Sequence, residues 1–447
     1  MIELQKDGDQ QNNAYLLFYK IVNDRLLYLS TLAIILSYFY NLPIVKYSII
    51  GDNEFRLYDI VGVFLLMFHF KYNVILKGVL AKIQIFRWFW NLFKWASTTL
   101  IITLFVSIYN DKIMFFVQTL LYLFHLYVFF ISGVFVYILC LKKKRGEKYI
   151  TWLFQLSIVT SLVVIFQNFE LIPFLWSDSY KKSYSGFLSG TLGPNKIVLG
   201  MTFLYIFIFS TSVVLERRIK VNFFLTAFTI LLSFYALVIS GSRTSYVGFF
   251  VFIGFFAYHS FGKFLSYLLV FASLFFVVLL INDKLYETAE RVIDGRVIKK
   301  VKNIDDFENA NVGNLYEDLG SGRKSLSKRN AYFLLENPIV LPFGMGFNNR
   351  LIVVAGDTAH NMYLQVIKEL GLVGFFLYFG WLLQYLLVNL KVSRGFSIGL
   401  KGLIISVLVT AFFGEQLYIY RALFGLLGLF CVITSLYISV LHKEYFD

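Results

Sequence analysis

Charge is what this chain has least of. Only 15% of its 447 residues are Asp, Glu, Lys or Arg, while 58% are apolar. Soluble domains run at about 25% charged and about 45–50% apolar. So few charges cannot cover a water-facing surface, and a soluble multidomain protein is excluded. Cysteine is nearly absent as well. Cys140 and Cys431 both lie in apolar runs and in no metal or redox spacing, which excludes a disulfide framework. Histidine is scarce: His69, His125, His259, His360 and His442 are scattered, with no HExxH pattern and no closely spaced pair. That argues against a tetrahedral zinc site, and neither a metal nor another cofactor is expected. The polar segment Met1 to Arg25 lacks a basic n-region and a small-residue cleavage site, so the first hydrophobic segment is expected to be retained.

Long apolar runs are what the chain does have, with 51 Phe, 30 Tyr and a mean hydropathy of +0.69. A spanning helix needs roughly 20 apolar residues to cross about 30 Å of hydrocarbon. Twelve segments qualify: 26–46, 57–76, 92–109, 113–141, 150–172, 195–215, 222–240, 244–260, 263–282, 361–390, 398–414 and 418–441. Their length predicts helices, because barrel strands alternate over about 10 residues. The expected fold is all-α: a polytopic integral membrane protein of about 12 transmembrane helices.

The net charge of +14 first suggests an anionic partner such as nucleic acid. Its distribution gives another meaning. With the N-terminus inside, the inner segments carry 21 Lys and Arg against 8 in the short outer loops and helix ends. This bias predicts both termini in the cytoplasm, and no nucleic acid partner. Lys142, Lys143, Lys144 and Arg145 form its clearest anchor, with Glu216, Arg217 and Arg218 forming another. The predicted organisation is helices 1–9 in residues 1–282, a large outside loop at 283–359, and helices 10–12 in residues 360–447. The loop carries 11 bases and 11 acids, with helical-looking stretches at 284–302 and 325–337. A structureless loop of that length is uncommon unless it has a function. A smaller outside loop, 173–194, is rich in Ser, Tyr, Gly and Lys.

Three short outer stretches carry chemistry. In Ser240–Ser245, Gly241 and the serines permit a tight turn, and Thr244 or Ser242 can cap the next helix. Arg243 then sits beside a helix N-terminus, where backbone N–H groups and a guanidinium make a phosphate site. An arginine snorkelling to lipid headgroups fits the same position. In Asp357–Gln365, Asp357 or Thr358 would cap a helix, placing His360 in or near its first turn. The positive end of the macrodipole favours a neutral imidazole there, as a general base requires; a structural cap or interfacial His is the competing reading. Lys368 and Glu369 lie deeper, where ionisable groups usually line a cavity. Being adjacent, they do not share a helix face. The third stretch joins Gly320–Arg323, Asn337-Pro338 and Phe343–Phe347, whose glycines suggest packed turns rather than a nucleotide motif. Asn195 and Lys196 begin an outer helix and are candidates for a polar ligand, although a plain helix start explains them too. Glu415 and Arg421 bracket the last outer turn.

These stretches resemble the O-antigen ligase and polymerase superfamily of bacterial envelope glycosyltransferases. The carrying motifs are Ser-Gly-Ser-Arg-Thr at 240–244, Ser-Gly-Arg at 321–323 followed by Glu-Asn-Pro and Phe-Gly-Met-Gly-Phe, and Ala-His-Asn-Met-Tyr-Leu-Gln with Glu-Leu-Gly-Leu-Val-Gly across 359–374. Together they cover about 240–390; elsewhere only the architecture matches. The resemblance implies metal-independent, inverting glycosyl transfer at the outer face of the bacterial inner membrane. The donor would be a glycan on undecaprenyl pyrophosphate. The acceptor would be the next lipid-linked repeat unit in a polymerase, or the lipid A core in a ligase. It implies His360 as the base for the acceptor hydroxyl and Arg243 as the holder of the pyrophosphate. Arg323 would supply a second cation. Asn361 and Tyr363, beside His360, join Asn195 and Lys196 as substrate-binding candidates. Tyr316, Tyr332 and Phe347 are candidates for stacking on sugars. Membrane lipid and a chain-length regulator protein are the expected further partners. The smaller outer loop departs from the pattern by carrying lysines without arginine, so Lys181, Lys182 or Lys196 would have to substitute. A repeat-unit polymerase is the first expectation and a ligase the second. A transporter of lipid-linked sugars is a third, without the inverted repeats or the charges deep within several helices that class favours.

Overall fold

The computed structural model describes residues 19–46, 54–142, 145–175, 188–193, 195–216, 219–266, 268–269, 272–273, 323–349, 359–388, 393–414, 416–418 and 424–439. Among them the fold is all-α apart from one antiparallel ribbon, β1 (Pro43–Lys46) and β2 (Glu54–Arg56), with Lys46 opposite Glu54. The helices are α1 (Arg25–Phe39), α2 (Leu57–Lys71), α3 (Asn73–Lys82), α4 (Gln84–Tyr109), α5 (Ile113–Cys140), α6 (Arg145–Asn168), α7 (Lys196–Leu215), α8 (Phe223–Ile239), α9 (Arg243–His259), α10 (Arg323–Glu336), α11 (Val340–Phe343), α12 (Met362–Leu387), α13 (Arg394–Thr410) and α14 (Phe424–Ser439). Their starts follow from local chemistry. Asp24, Asn195, Asn222, Ser242 and Asn361 each accept backbone N–H bonds at the N-termini of α1, α7, α8, α9 and α12.

Five helices are long and apolar enough to cross a membrane: α4, α5, α6, α7 and α12. The α2–α3 pair makes a sixth if taken as one span, but it is bent by 89°. The described residues thus hold five or six such spans against the twelve segments expected. α1, α8 and α14 are apolar but shorter, and segment 263–282 falls largely outside the described residues. One boundary is corrected. The stretch between the expected spans 57–76 and 92–109 holds most of α3 and the first turns of α4. Lys77, Lys82 and Arg87 are exposed along it, while Leu76, Leu80, Phe86 and Phe89 face the core. The charges hide a helical period.

α5, α7 and α14 form the centre. α7 is buried along nearly its whole length, as is the second half of α5. Helices apolar on all faces belong where neighbours cover every side. Gly133 of α5 meets the Cys431 backbone of α14, where a Cβ would come within 2.8 Å of the carbonyl oxygen. Both free cysteines are buried here. α4 and α12, α6 and α8, and α9 and α13 pack around this centre.

Candidate functional site

Four helix N-termini gather at one end of the bundle. The first turn of α7 packs against the 240–245 turn, so close that a Cβ on Gly200 would touch Ser240 and Ser245. In α9, Gly248 accepts a hydrogen bond from Ser406 Oγ of α13 at 2.9 Å, and its α-carbon lies against Thr410. The end of α13 in turn meets the start of α12: Met362 N–H donates to the Ala411 carbonyl at 2.8 Å, and Tyr363 Oη donates to the Leu408 carbonyl at 2.7 Å. α10 joins through Ser327, whose Oγ donates to the Ala359 carbonyl at 2.8 Å. These contacts bring the starts of α7, α9, α10 and α12 into one neighbourhood. Aligned peptide dipoles make it favourable for an anion.

The backbone of each expected site residue has a defined place. Ser242 rather than Thr244 caps α9, and Arg243 is its first residue, exposed while Ser242, Thr244 and Ser245 are buried. Asn195 caps α7 by accepting Ile197 N–H at 2.8 Å, and Lys196 follows it, half-buried. Arg323 opens α10 one turn before Ser327; its side chain is outside the described residues. Tyr363 is packed, stacked on Phe379 at 4.4 Å with its hydroxyl engaged. Asn361 caps α12 through Tyr363 N–H at 3.0 Å and Leu364 N–H at 3.2 Å.

That cap corrects the expected start of α12. Asp357 and Thr358 lie outside the described residues, and His360 stands near the first turn, just before the cap. Three cap-forming side chains follow one another closely here, and spacing alone cannot choose among them. His360 is half-buried and takes the left-handed backbone at φ +49°. Non-glycine residues persist there only when their surroundings fix them.

Behind His360 lies a polar network that sequence reasoning did not assemble. Lys368 and Glu369 are fully buried. Lys368 Nζ donates to Asn330 Oδ1 of α10 at 2.9 Å. Glu369 Oε2 accepts from Asn348 N–H at 2.9 Å and Tyr418 Oη at 3.1 Å, and its Oε1 accepts from Gln365 Nε2. Gln365 Oε1 accepts from Ala359 N–H at 3.1 Å. The cavity expected around Lys368 and Glu369 is thus occupied by protein groups. α12 breaks at Gly371, φ +67°, and the break frees carbonyls for other donors. Lys368 and Glu369 carbonyls accept Met345 N–H at 2.9 Å and Gly346 N–H at 3.0 Å; Leu370 accepts Trp95 Nε1 at 2.8 Å. Residues 345–347 of the expected outer loop therefore pack between α4 and α12. Phe347 is fully buried, with its carbonyl held by Thr103 Oγ1 at 3.0 Å, so it cannot stack on a sugar. Tyr332 is exposed; Tyr316, Glu415 and Arg421 are outside the described residues, as are Lys181, Lys182 and the stretch 284–302.

A second buried polar group escapes sequence reasoning too, because its members lie far apart in the chain. Asp59 accepts from Arg56 N–H at 2.8 Å and pairs with His125 Nε2, and Arg56 Nη1 donates to Asn41 Oδ1 at 2.8 Å. Asn41 Nδ2 donates to the Leu192 carbonyl at 2.9 Å, tying α2 and α5 to the segment before α7. An open groove of about 380 Å³ lies between α1 and α6, lined by Tyr28, Glu147, Trp152 and Gln155. It is at the far end from His360: the other end of α6 holds Gly190 N–H through Gln167, close to the start of α7.

An apolar helical bundle with polar helix starts gathered at one end defines the class as a multi-pass membrane protein. Residues 228–379 match the family model described as O-Antigen ligase, which supports membership in the O-antigen ligase and polymerase superfamily. No curated protein and no solved structure matches the chain.

Proposed function

We propose that the chain is a membrane glycosyltransferase that polymerises undecaprenyl-pyrophosphate-linked oligosaccharide repeat units into O-antigen or capsular polysaccharide at the outer face of the bacterial inner membrane. The observation that carries this reading is the family match over 228–379, which spans Arg243, Arg323 and His360. In the proposed step, His360 takes the proton of an acceptor hydroxyl. That oxygen attacks the anomeric carbon of the donor, and the bond from this carbon to the pyrophosphate oxygen breaks. The leaving group departs as undecaprenyl pyrophosphate, with inversion. Pyrophosphate is already a good leaving group, so catalysis needs charge stabilisation and positioning above all. Arg243, with the start of α9 behind it, supplies charge, and Arg323 adds a second cation.

A ligase reading uses the same residues with the lipid A core as acceptor, and the family match supports it equally. For either reaction, His360→Ala and Arg243→Ala are expected to abolish glycan transfer in a reconstituted assay while the protein still inserts and melts normally. Full activity in His360→Ala would remove the base from the mechanism.

A further inference from the structure

We propose that Gln365 and Glu369 are positioning residues for His360, an inference that rests on His360 being the base. Five hydrogen bonds fix the backbone on either side of it. Ala359, just before it, gives its N–H to Gln365 Oε1 at 3.1 Å, and its carbonyl accepts from Ser327 Oγ at 2.8 Å. Asn361, just after it, caps α12, and Met362 N–H is held by Ala411. The left-handed backbone of His360 is maintained between these clamps.

The chemistry of the network is directional. An ionised carboxylate only accepts, and three donors point at Glu369: Asn348 N–H, Tyr418 O–H and Gln365 N–H. The Gln365 amide has one arrangement that works. Its NH₂ faces the carboxylate, which leaves its oxygen to accept from Ala359. Flipping it would set oxygen against carboxylate and NH₂ against N–H. Glu369 therefore orients Gln365, Gln365 orients Ala359, and Ala359 carries His360. Gln365 and Glu369 are four apart on α12, the spacing that lets the two side chains meet. Through Asn348 the same carboxylate ties this arm to the 344–349 segment.

The test uses the full-length protein in proteoliposomes. The substrate is the undecaprenyl-pyrophosphate-linked oligosaccharide isolated from cells lacking this chain. Gln365→Leu removes both bonds, and kcat is expected to fall about 10- to 100-fold at every pH with KM unchanged, since a small misplacement of a reacting group costs that much. Gln365→Glu gives a readout that a merely structural role would not. In acid, where the introduced carboxyl group and that of Glu369 share a proton, the introduced group donates to Glu369 and still accepts from Ala359. The rate of this variant relative to wild type should be close to one there and fall as pH rises and the shared proton leaves. That acid recovery also shows that the variant folds. A Gln365→Glu ratio that stays flat with pH, or wild-type kcat in Gln365→Leu while His360→Ala is inactive, overturns the positioning role. Full activity in His360→Ala would instead overturn the base reading, and this proposal with it.

Discussion

His360 shows how far single residues decide the site. Its type and place in the motif were legible in the sequence, but its conformation was not. Asp357, Thr358 and Asn361 can all cap a helix, and only the fold reveals that Asn361 does. The same limit applies to Phe347, which looks like a sugar platform in sequence and is a buried anchor in the structure. A simpler residue gives a sharper test. Asp24 caps α1 and also bonds Lys71 Nζ at 2.8 Å and Tyr72 Oη at 2.6 Å. Burial works to raise its pKa, but the bonds from Lys71, Tyr72 and Leu27 N–H outweigh it and the net shift is downward. A carboxylate lowered in the folded state contributes stability that is fully present above its unfolded pKa of about 3.9 and is lost as pH falls through the lower folded value. Asp24→Asn keeps the cap, so its deficit against wild type in thermal melts should close on acidification below about pH 4. Asp24→Ala also loses the cap and should retain a deficit of about 1 kcal/mol in acid.

At the scale of elements, run length and composition made most helices legible, because an apolar stretch longer than about 18 residues has few other fates. The breaks within helices were not legible. The break at Gly371 depends on long-range partners, Pro342, Gly344 and Trp95, which no local pattern announces. Gly371→Ala would hold a non-glycine residue at φ +67° and press its Cβ into the Pro342 carbonyl. It should cost about 2 kcal/mol or more in thermal stability. Gly254→Ala on α9, where a Cβ meets open space, should be neutral or stabilise by about 0.5–1 kcal/mol. α3 illustrates the opposite error, a helix read as a loop because it carries lysines. Its 89° bend from α2 sets it across the bundle, as suits a helix lying along a membrane face. Lys77→Cys should react with a membrane-impermeant maleimide in inside-out vesicles and be protected in right-side-out ones. The reverse result would contradict the orientation argued from charge.

For the whole molecule, the scarcity of charge proved the most informative property. It removed soluble folds at once and left the few outer cations and His360 conspicuous. The gathering of four helix starts at one end could not be read from sequence, since it rests on contacts such as Ser406 with Gly248 and Met362 with Ala411, well over a hundred and about fifty residues apart. The central claim is that this site joins one lipid-linked repeat unit to the next. It is tested most directly by giving the reconstituted protein the undecaprenyl-pyrophosphate-linked repeat unit alone, with no lipid A core, and sizing the glycan. A ladder of long lipid-linked chains, absent with His360→Ala, is the predicted result. No product until lipid A core is added would contradict it and make the chain a ligase.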